Sequence, residues 1–303
     1  MQPNPLFSVL IANYNNGIYL GEALQSVFAQ TYTNWEIIIV DDGSTDNSKE
    51  IYKNYSNDSR IHIYYNEKNY GCGYTKRRCA ELANGEICGF LDPDDTIDSD
   101  TLAPIVEEHL KRQFTSLIYT DFLYCDQNMS ILSIKSPQCA LPKGTSYLEY
   151  GKGAISQFAT FKKALYDKTS GINSTLLRAV DQDLYLKLEE VGETYFFPHK
   201  KYYYRTNTSN NISLGQNSLK ASLWHIITLV DACKRRNINI EETVFKYYKY
   251  FYDCYSTNIE KKYQQDLNNL YNTFSFKLGK IITFPFRLFQ KILKKCTHKE
   301  KLA

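Results

Sequence analysis

None of the eight cysteines of this 303-residue chain forms a C-x-x-C pair, so the usual zinc and thiol-redox spacings are missing. Cys88 instead sits inside an apolar run, and such usage predicts reduced thiols in a cytoplasmic setting. No stretch of about 18 apolar residues occurs, which argues against a transmembrane helix. The opening MQPNPLFSVLIANYNN has neither a basic leader nor a long apolar segment, so no secretory signal is expected there. Charge of one sign is not in excess: 36 basic and 33 acidic residues leave +3, which gives no reason to expect nucleic acid as a partner. Two phosphate cradles are absent as well. The first strand-to-helix turn, ANYNNGIYLG, has only Gly17 and Gly21 and does not spell G-x-G-x-x-G, and no G-x-x-x-x-G-K-[ST] is found. There is no internal repeat.

What the chain does have is alternation. FSVLIA precedes a helical pattern at 18–30, EIIIV one at 48–55, IHIYY one at 74–83 and ICGFL one at 101–112, with SLIYTDFLY following. Apolar runs buried on both faces, separated by helices, predict an α/β fold with a mostly parallel sheet. We read about 1–125 as one half of a catalytic domain, the glycine-punctuated 126–215 as the other, and 216–303 as a helical extension. Its end is strongly basic. From Lys277 to Lys301 eight Lys/Arg face one acid, Glu300, interleaved with apolar residues such as Ile281, Phe289 and Leu293 at helical spacing and broken by Pro285. The stretch 274–303 reads either as a helix docked on the domain or as a peripheral anchor for an anionic membrane surface.

In parallel sheets ligands collect at the carboxyl ends of strands, and two acidic turns fall there. LDPDD (Leu91 to Asp95) crowds Asp92, Asp94 and Asp95, a costly arrangement unless a cation or a hydrogen-bonding loop takes up the charge. Asp92 and Asp94, two apart in a turn, can address one hard cation; equally, Asp92 or Asp98 can form an Asx-turn or helix cap. An EF-hand loop is excluded, because Ile97 stands where it needs Gly and no Glu occupies its twelfth position. VDDGSTDNS (Val40 to Ser48) offers Asp41 and Asp42 before a Gly turn, with Asp46 or Ser48 as a cap.

These pieces resemble glycosyltransferase family 2. The resemblance is carried by SVLIANYNNGIYLGEALQSVFAQTYTNWEIIIVDDGSTDNS (8–48), NYGCGYTKRRCAELANGEICGFLDPDD (69–95), SGINSTLLRAVDQDLYLKL (170–188) and YYYRTNTSNNIS (202–213), in order. It implies a GT-A fold, that is, a Rossmann-like α/β sheet with flanking helices. It also implies inverting transfer of a sugar from a nucleotide-diphosphate sugar, by expectation a UDP-sugar, with Mn²⁺ or Mg²⁺. The acceptor would be a glycan or a lipid-linked molecule, as in bacterial surface polysaccharide synthesis at the inner face of the cell membrane. By the same resemblance Ala12 and Tyr14 flank the nucleotide base, Asp41 or Asp42 hydrogen-bonds it, and Lys76 faces the nucleotide. Asp92 and Asp94 are the D-x-D pair, with Asp94 the direct metal ligand and Asp92 nearer the ribose. Asp181 is the catalytic base and Arg205 reaches the diphosphate, while Asp183 reads as a first-turn acid of the same helix. The chain departs from the family pattern in three places: Lys76-Arg77 stands for Ala-Arg-Asn, Val180 for the acid before the base, and Asn207 for a histidine. Q-x-x-R-W is absent, which favours single addition over processive synthesis. A non-catalytic binding module of the same fold is the alternative of a different class, separated by turnover. A nucleotidyltransferase would release pyrophosphate instead of a nucleoside diphosphate.

Overall fold

The computed structural model describes residues 4–134, 138–150, 154–206 and 217–249, with isolated positions out to 269. The chain divides into two compact units, the first ending at Tyr247; the basic stretch 274–303 lies outside the described residues. The first unit contains every strand among the described residues and both acidic turns.

The most apolar runs form the centre of the sheet. Strand β1 (Phe7–Asn13) and strand β2 (Trp35–Asp41) pair in parallel, with every residue of β2 buried, because helices cover both faces. Between them helix α1 (Gly17–Phe28) buries Leu20, Ala23, Leu24 and Val27, the i, i+3, i+4, i+7 stripe of an amphipathic helix. Asp46 caps two helices at once. Its Oδ2 accepts from the Gly17 backbone N–H at 2.7 Å, and its Oδ1 accepts from the N–H (3.0 Å) and hydroxyl (2.6 Å) of Ser48, where α2 (Ser48–Lys53) begins. Burial opposes its ionisation, but these hydrogen bonds outweigh it and hold the carboxyl below the usual range.

Strand β3 (Ile61–Tyr65), helix α3 (Cys72–Leu82), strand β4 (Ile87–Phe90), the two-residue β5 (Thr96–Ile97), helix α4 (Leu102–Lys111) and strands β6 (Thr115–Thr120), β7 (Leu123–Cys125) and β8 (Ile131–Ser133) come next. The chain continues with α5 (Tyr147–Tyr150), β9 (Ala159–Lys162), α6 (Lys163–Tyr166), α7 (Val180–Glu189), β10 (Glu193–Phe197), β11 (Tyr202–Arg205) and α8 (Ser218–Arg236). The large sheet has the order β10-β6-β9-β4-β1-β2-β3 and is parallel except for β9, which runs antiparallel to both β4 and β6. SLIYTDFLY, one run in the sequence, divides after Thr120: β6 stays in the large sheet and β7 joins a small one, β5-β11-β7-β8. Because β2 and β4 lie on opposite sides of β1, the order reverses at β1, the point at which open α/β sheets form a crevice at the strand ends, and both acidic turns begin there. Helix α8 packs on α7: Thr228 Oγ1 donates to Gln182 Oε1 at 2.7 Å, and Arg235 and Arg236 pair with Glu190 and Glu189. Among the described residues no helix is long and apolar enough to cross a membrane.

Candidate active site

The turn after β4 is built from inside. Asp95 is 1% exposed; its Oδ2 accepts from the Tyr202 hydroxyl at 2.6 Å and its Oδ1 from the Arg205 backbone N–H at 2.7 Å. Burial, then the charges of Asp94 and Asp92, push its carboxyl well above the usual range. Asp95 is therefore the member of the trio that the fold absorbs, while Asp92 and Asp94 stay half-buried. Arg205 serves the same turn. Its guanidinium, 1% exposed, donates to the Asp94 carbonyl at 2.7 Å, to Glu22 Oε2 at 2.5 Å and to the Gln127 carbonyl, and lies over the Tyr19 ring. A side chain so placed braces the D-x-D turn against α1.

The VDDGS turn is also committed to its surroundings. Asp41, fully buried, accepts from the Ser44 N–H and the Tyr52 hydroxyl, each at 2.8 Å. Asp42 accepts from Asn66 Nδ2 at 2.7 Å and from the backbone N–H groups of Tyr70 (2.9 Å) and Gly71 (2.8 Å), tying β2 to the start of α3. Gly43 has φ +76° and its missing Cβ would meet the Lys68 carbonyl carbon at 2.9 Å, so only glycine fits between the two loops. Ala12 is half-buried at the end of β1, and Tyr14 is exposed just beyond it.

Across the crevice stands α7, entered through Ala179 at φ 55°. Asp181 is in its first turn, where backbone N–H groups favour a carboxylate. Val180, in place of the family's acid, is 3% exposed; a carboxylate buried there would need a partner of its own. Asp183 turns the other way: it is buried, accepts from the Asn173 N–H and pairs with Lys187, each at 2.8 Å, so it shapes the 170–176 loop and is not placed to act on a substrate.

Lys76 connects the two sides. Its Nζ lies 2.8 Å from Asp181 Oδ1 and 3.2 Å from Asp92 Oδ1, and 5.1 Å from the centre of the Phe90 ring. Burial alone would lower its pKa, but Asp181 and then Asp92 overcome that and raise it well above the ordinary lysine value, so the ammonium is permanent. The structure thus brings together Asp92, Lys76 and Asp181, from three separate sequence segments. It also adds Gln157, whose amide donates to Asp92 Oδ2 at 2.6 Å, and Tyr185, one turn along α7 from Asp181 with its ring edge-on to Tyr147 at 6.3 Å. Neither carries a motif; the four-residue spacing of Asp181 and Tyr185 on a helix was the one available signal. Tyr147 and Phe158 are core residues, at 6% and 0% exposure.

Among the described residues no three His, Cys, Asp or Glu converge as a metal cage. The chemistry of the turn nonetheless fits a hard dication: Asp92 and Asp94 are oxygen donors left half-buried beside the pinned Asp95. Such a cation takes one or two carboxylates and completes its shell with phosphate oxygens and water.

The model of the family described as glycosyl transferase family 2 matches residues 8–166, about half of the chain. The chain is 32% identical over 191 residues to a chondroitin synthase of Escherichia coli, an alignment covering 62% of this chain and 27% of that protein. It is 27% identical over 282 residues to a hyaluronan synthase of Pasteurella multocida, covering 88% and 27%. The chain therefore spans about a quarter of the length of these relatives. In three dimensions it is similar to residues 1–349 of TarS from S. aureus, solved with UDP-GlcNAc, with a TM-score of 0.64 over 78% of this chain and 69% of that one. At 20% identity that likeness speaks for the GT-A fold alone.

Proposed function

The chain belongs to glycosyl transferase family 2, and on that premise we propose that it transfers a sugar, with inversion, from a nucleotide-diphosphate sugar to a hydroxyl of a glycan or lipid-linked acceptor. The observation that carries this reading is the convergence of Asp92 and Asp181 on one lysine, 3.2 and 2.8 Å away. A D-x-D turn for the donor and a carboxylate at a helix head for the acceptor face each other across the crevice. In this reading Asp181 accepts the proton of the acceptor hydroxyl as that oxygen attacks the anomeric carbon, which is general-base catalysis. The turn holds the donor: Asp92 lies toward the ribose, Asp94 is the protein ligand of Mn²⁺ or Mg²⁺, and Ala12 and Tyr14 line the place of the base. When bound, the metal supplies positive charge for the departing diphosphate.

The names of the relatives, chondroitin and hyaluronan synthases, support synthesis of a polysaccharide, and the UDP-GlcNAc complex of the TarS structure supports a UDP-sugar as donor. A bacterial surface glycan made at the inner face of the membrane, with 274–303 as a peripheral contact, agrees with both. The experiment is a panel of nucleotide sugars with Mn²⁺ or Mg²⁺, scored by nucleoside diphosphate release. Release with one donor, dependent on acceptor, is the expected result. Binding of a sugar nucleotide without turnover would make the chain a non-catalytic module of the same fold, and pyrophosphate release would make it a nucleotidyltransferase.

A further inference from the structure

Two buried lysines can be compared within this fold. Lys187 forms a closed pair: its side chain and that of Asp183 are 6% and 2% exposed, and the Gly171 carbonyl at 2.7 Å takes a further proton of the ammonium. That is how a structural ion pair satisfies itself away from water. Lys76 is arranged differently. Its side chain is 6% exposed, yet its partners Asp92 and Asp181 are open to 27% and 39%. The cation is buried and the two anions face the crevice, on the sides assigned to donor and acceptor. A pair serving stability alone gains nothing from leaving its carboxylates wet.

We propose that Lys76 is a positioning residue for the transfer: it holds Oδ1 of Asp181 so that Oδ2 is presented to the acceptor, and its charge passes to the leaving diphosphate as Asp181 is neutralised. This deepens, and rests on, the reading of Asp181 as the base. In the transfer the acceptor O–H bond breaks and its proton goes to Asp181 Oδ2. The acceptor oxygen bonds to the anomeric carbon, and the bond from that carbon to the diphosphate oxygen breaks, its electron pair leaving with the diphosphate. One negative charge disappears at Asp181 and one appears on the Asp92 side. An ammonium fixed between them keeps a partner throughout, so no charged group has to move while the bonds change. Lys76 is well placed for this because it comes from the second turn of α3, packed under Phe90, the last residue of the strand that leads into the D-x-D turn. A lysine whose task was only to bind the nucleotide would have no need of the 2.8 Å contact with Asp181.

The test uses the full chain and the donor that the wild type turns over. Lys76→Met removes the charge while keeping most of the volume, and the half-open carboxylates can be hydrated, so the fold is expected to survive; Lys76→Gln is the second variant, and both are checked by thermal melting. Turnover should fall by roughly 10²–10³-fold, while the affinity for UDP with Mn²⁺, measured by calorimetry, should change by less than about threefold. In an Asp181→Asn background the further effect of Lys76→Met should shrink to about threefold or less, because two residues acting as a unit are not additive. Multiplying losses in the double variant, or UDP affinity weakened about tenfold or more with turnover retained, would make Lys76 a diphosphate ligand and overturn the proposal. Wild-type turnover with a fully active Asp181→Asn would remove the base assignment instead, and no turnover by the wild type with any donor would remove the reading on which both stand.

Discussion

Asp181 and Asp94 are the two residues on which the proposed chemistry turns, and each has its own expected signature. Asp181→Asn keeps the size of the side chain and a contact with Lys76 but cannot accept a proton. Turnover should drop about 10²–10⁴-fold with donor affinity little changed, read by steady-state kinetics beside a UDP binding isotherm; near-normal turnover would move the role elsewhere. Asp94→Ala should abolish transfer and weaken binding of UDP in the presence of Mn²⁺ while leaving the melting temperature intact, since the turn is pinned by Asp95, Tyr202 and Arg205; full activity in excess EDTA would contradict it. At this scale the sequence could be read for which carboxylates gather at the strand ends and less well for where the cations point. Arg205 resembles a diphosphate ligand, but three of its donors go to the Asp94 and Gln127 carbonyls and to Glu22. That outcome depends on contacts across 111 and 183 residues, which no local pattern encodes. Gln157 was invisible for the same reason.

Apart from the two-residue β5, helices and strands up to residue 120 were legible because buried parallel strands are continuous apolar runs and their covering helices carry a 3.6-residue stripe. Strand β9 was not, since a four-residue strand, ATFK, running antiparallel between β4 and β6 has no periodicity of its own. It is nonetheless a keystone, and α4 docks on it through a histidine. His109 is buried, its Nε2 lies 2.9 Å from Thr160 Oγ1, and Nδ1 has no partner among the described residues. Because Thr160 Oγ1 donates to the Ile118 carbonyl at 3.2 Å, it accepts from the imidazole, so Nε2 carries a hydrogen. Burial first, and Lys162 second, push its pKa down to about 3. The unfolded chain then takes up a proton near pH 6.5 that the folded chain refuses. Stability is therefore fully present above that pH and is lost as the pH falls toward 3. Between about pH 7 and pH 5 the loss should be about 2 kcal/mol from this one group. Urea titrations at the two pH values should show it in the wild type, and His109→Gln, which keeps an N–H donor but cannot be charged, should lose correspondingly less; an equal loss in both would refute the assignment.

Within the first unit the turn after β4 brings Asp92, α7 brings Asp181, and Lys76 is the contact between them. A chain that spans about a quarter of its relatives' length holds that complete arrangement between Phe7 and Arg205, the ends of β1 and β11. Beyond the first unit lies the basic stretch, with eight Lys/Arg against one acid between 277 and 301. Its alternation of cations with Ile, Phe and Leu fits an interface in which the apolar side enters the lipid and the cations meet anionic headgroups, each basic residue near the surface contributing about 1 kcal/mol. A lipid-linked acceptor would then reach the crevice without leaving the membrane. The prediction is that the full chain sediments with vesicles containing anionic lipid at low salt and is released as salt rises, because headgroup attraction is screened within about 10 Å at 0.1 M. A chain truncated after Thr273 should stay in the supernatant while keeping its nucleoside diphosphate release with a water-soluble acceptor. If both forms sediment equally, or if neither does at low salt, the stretch belongs to the fold and the acceptor must come to the enzyme through solution.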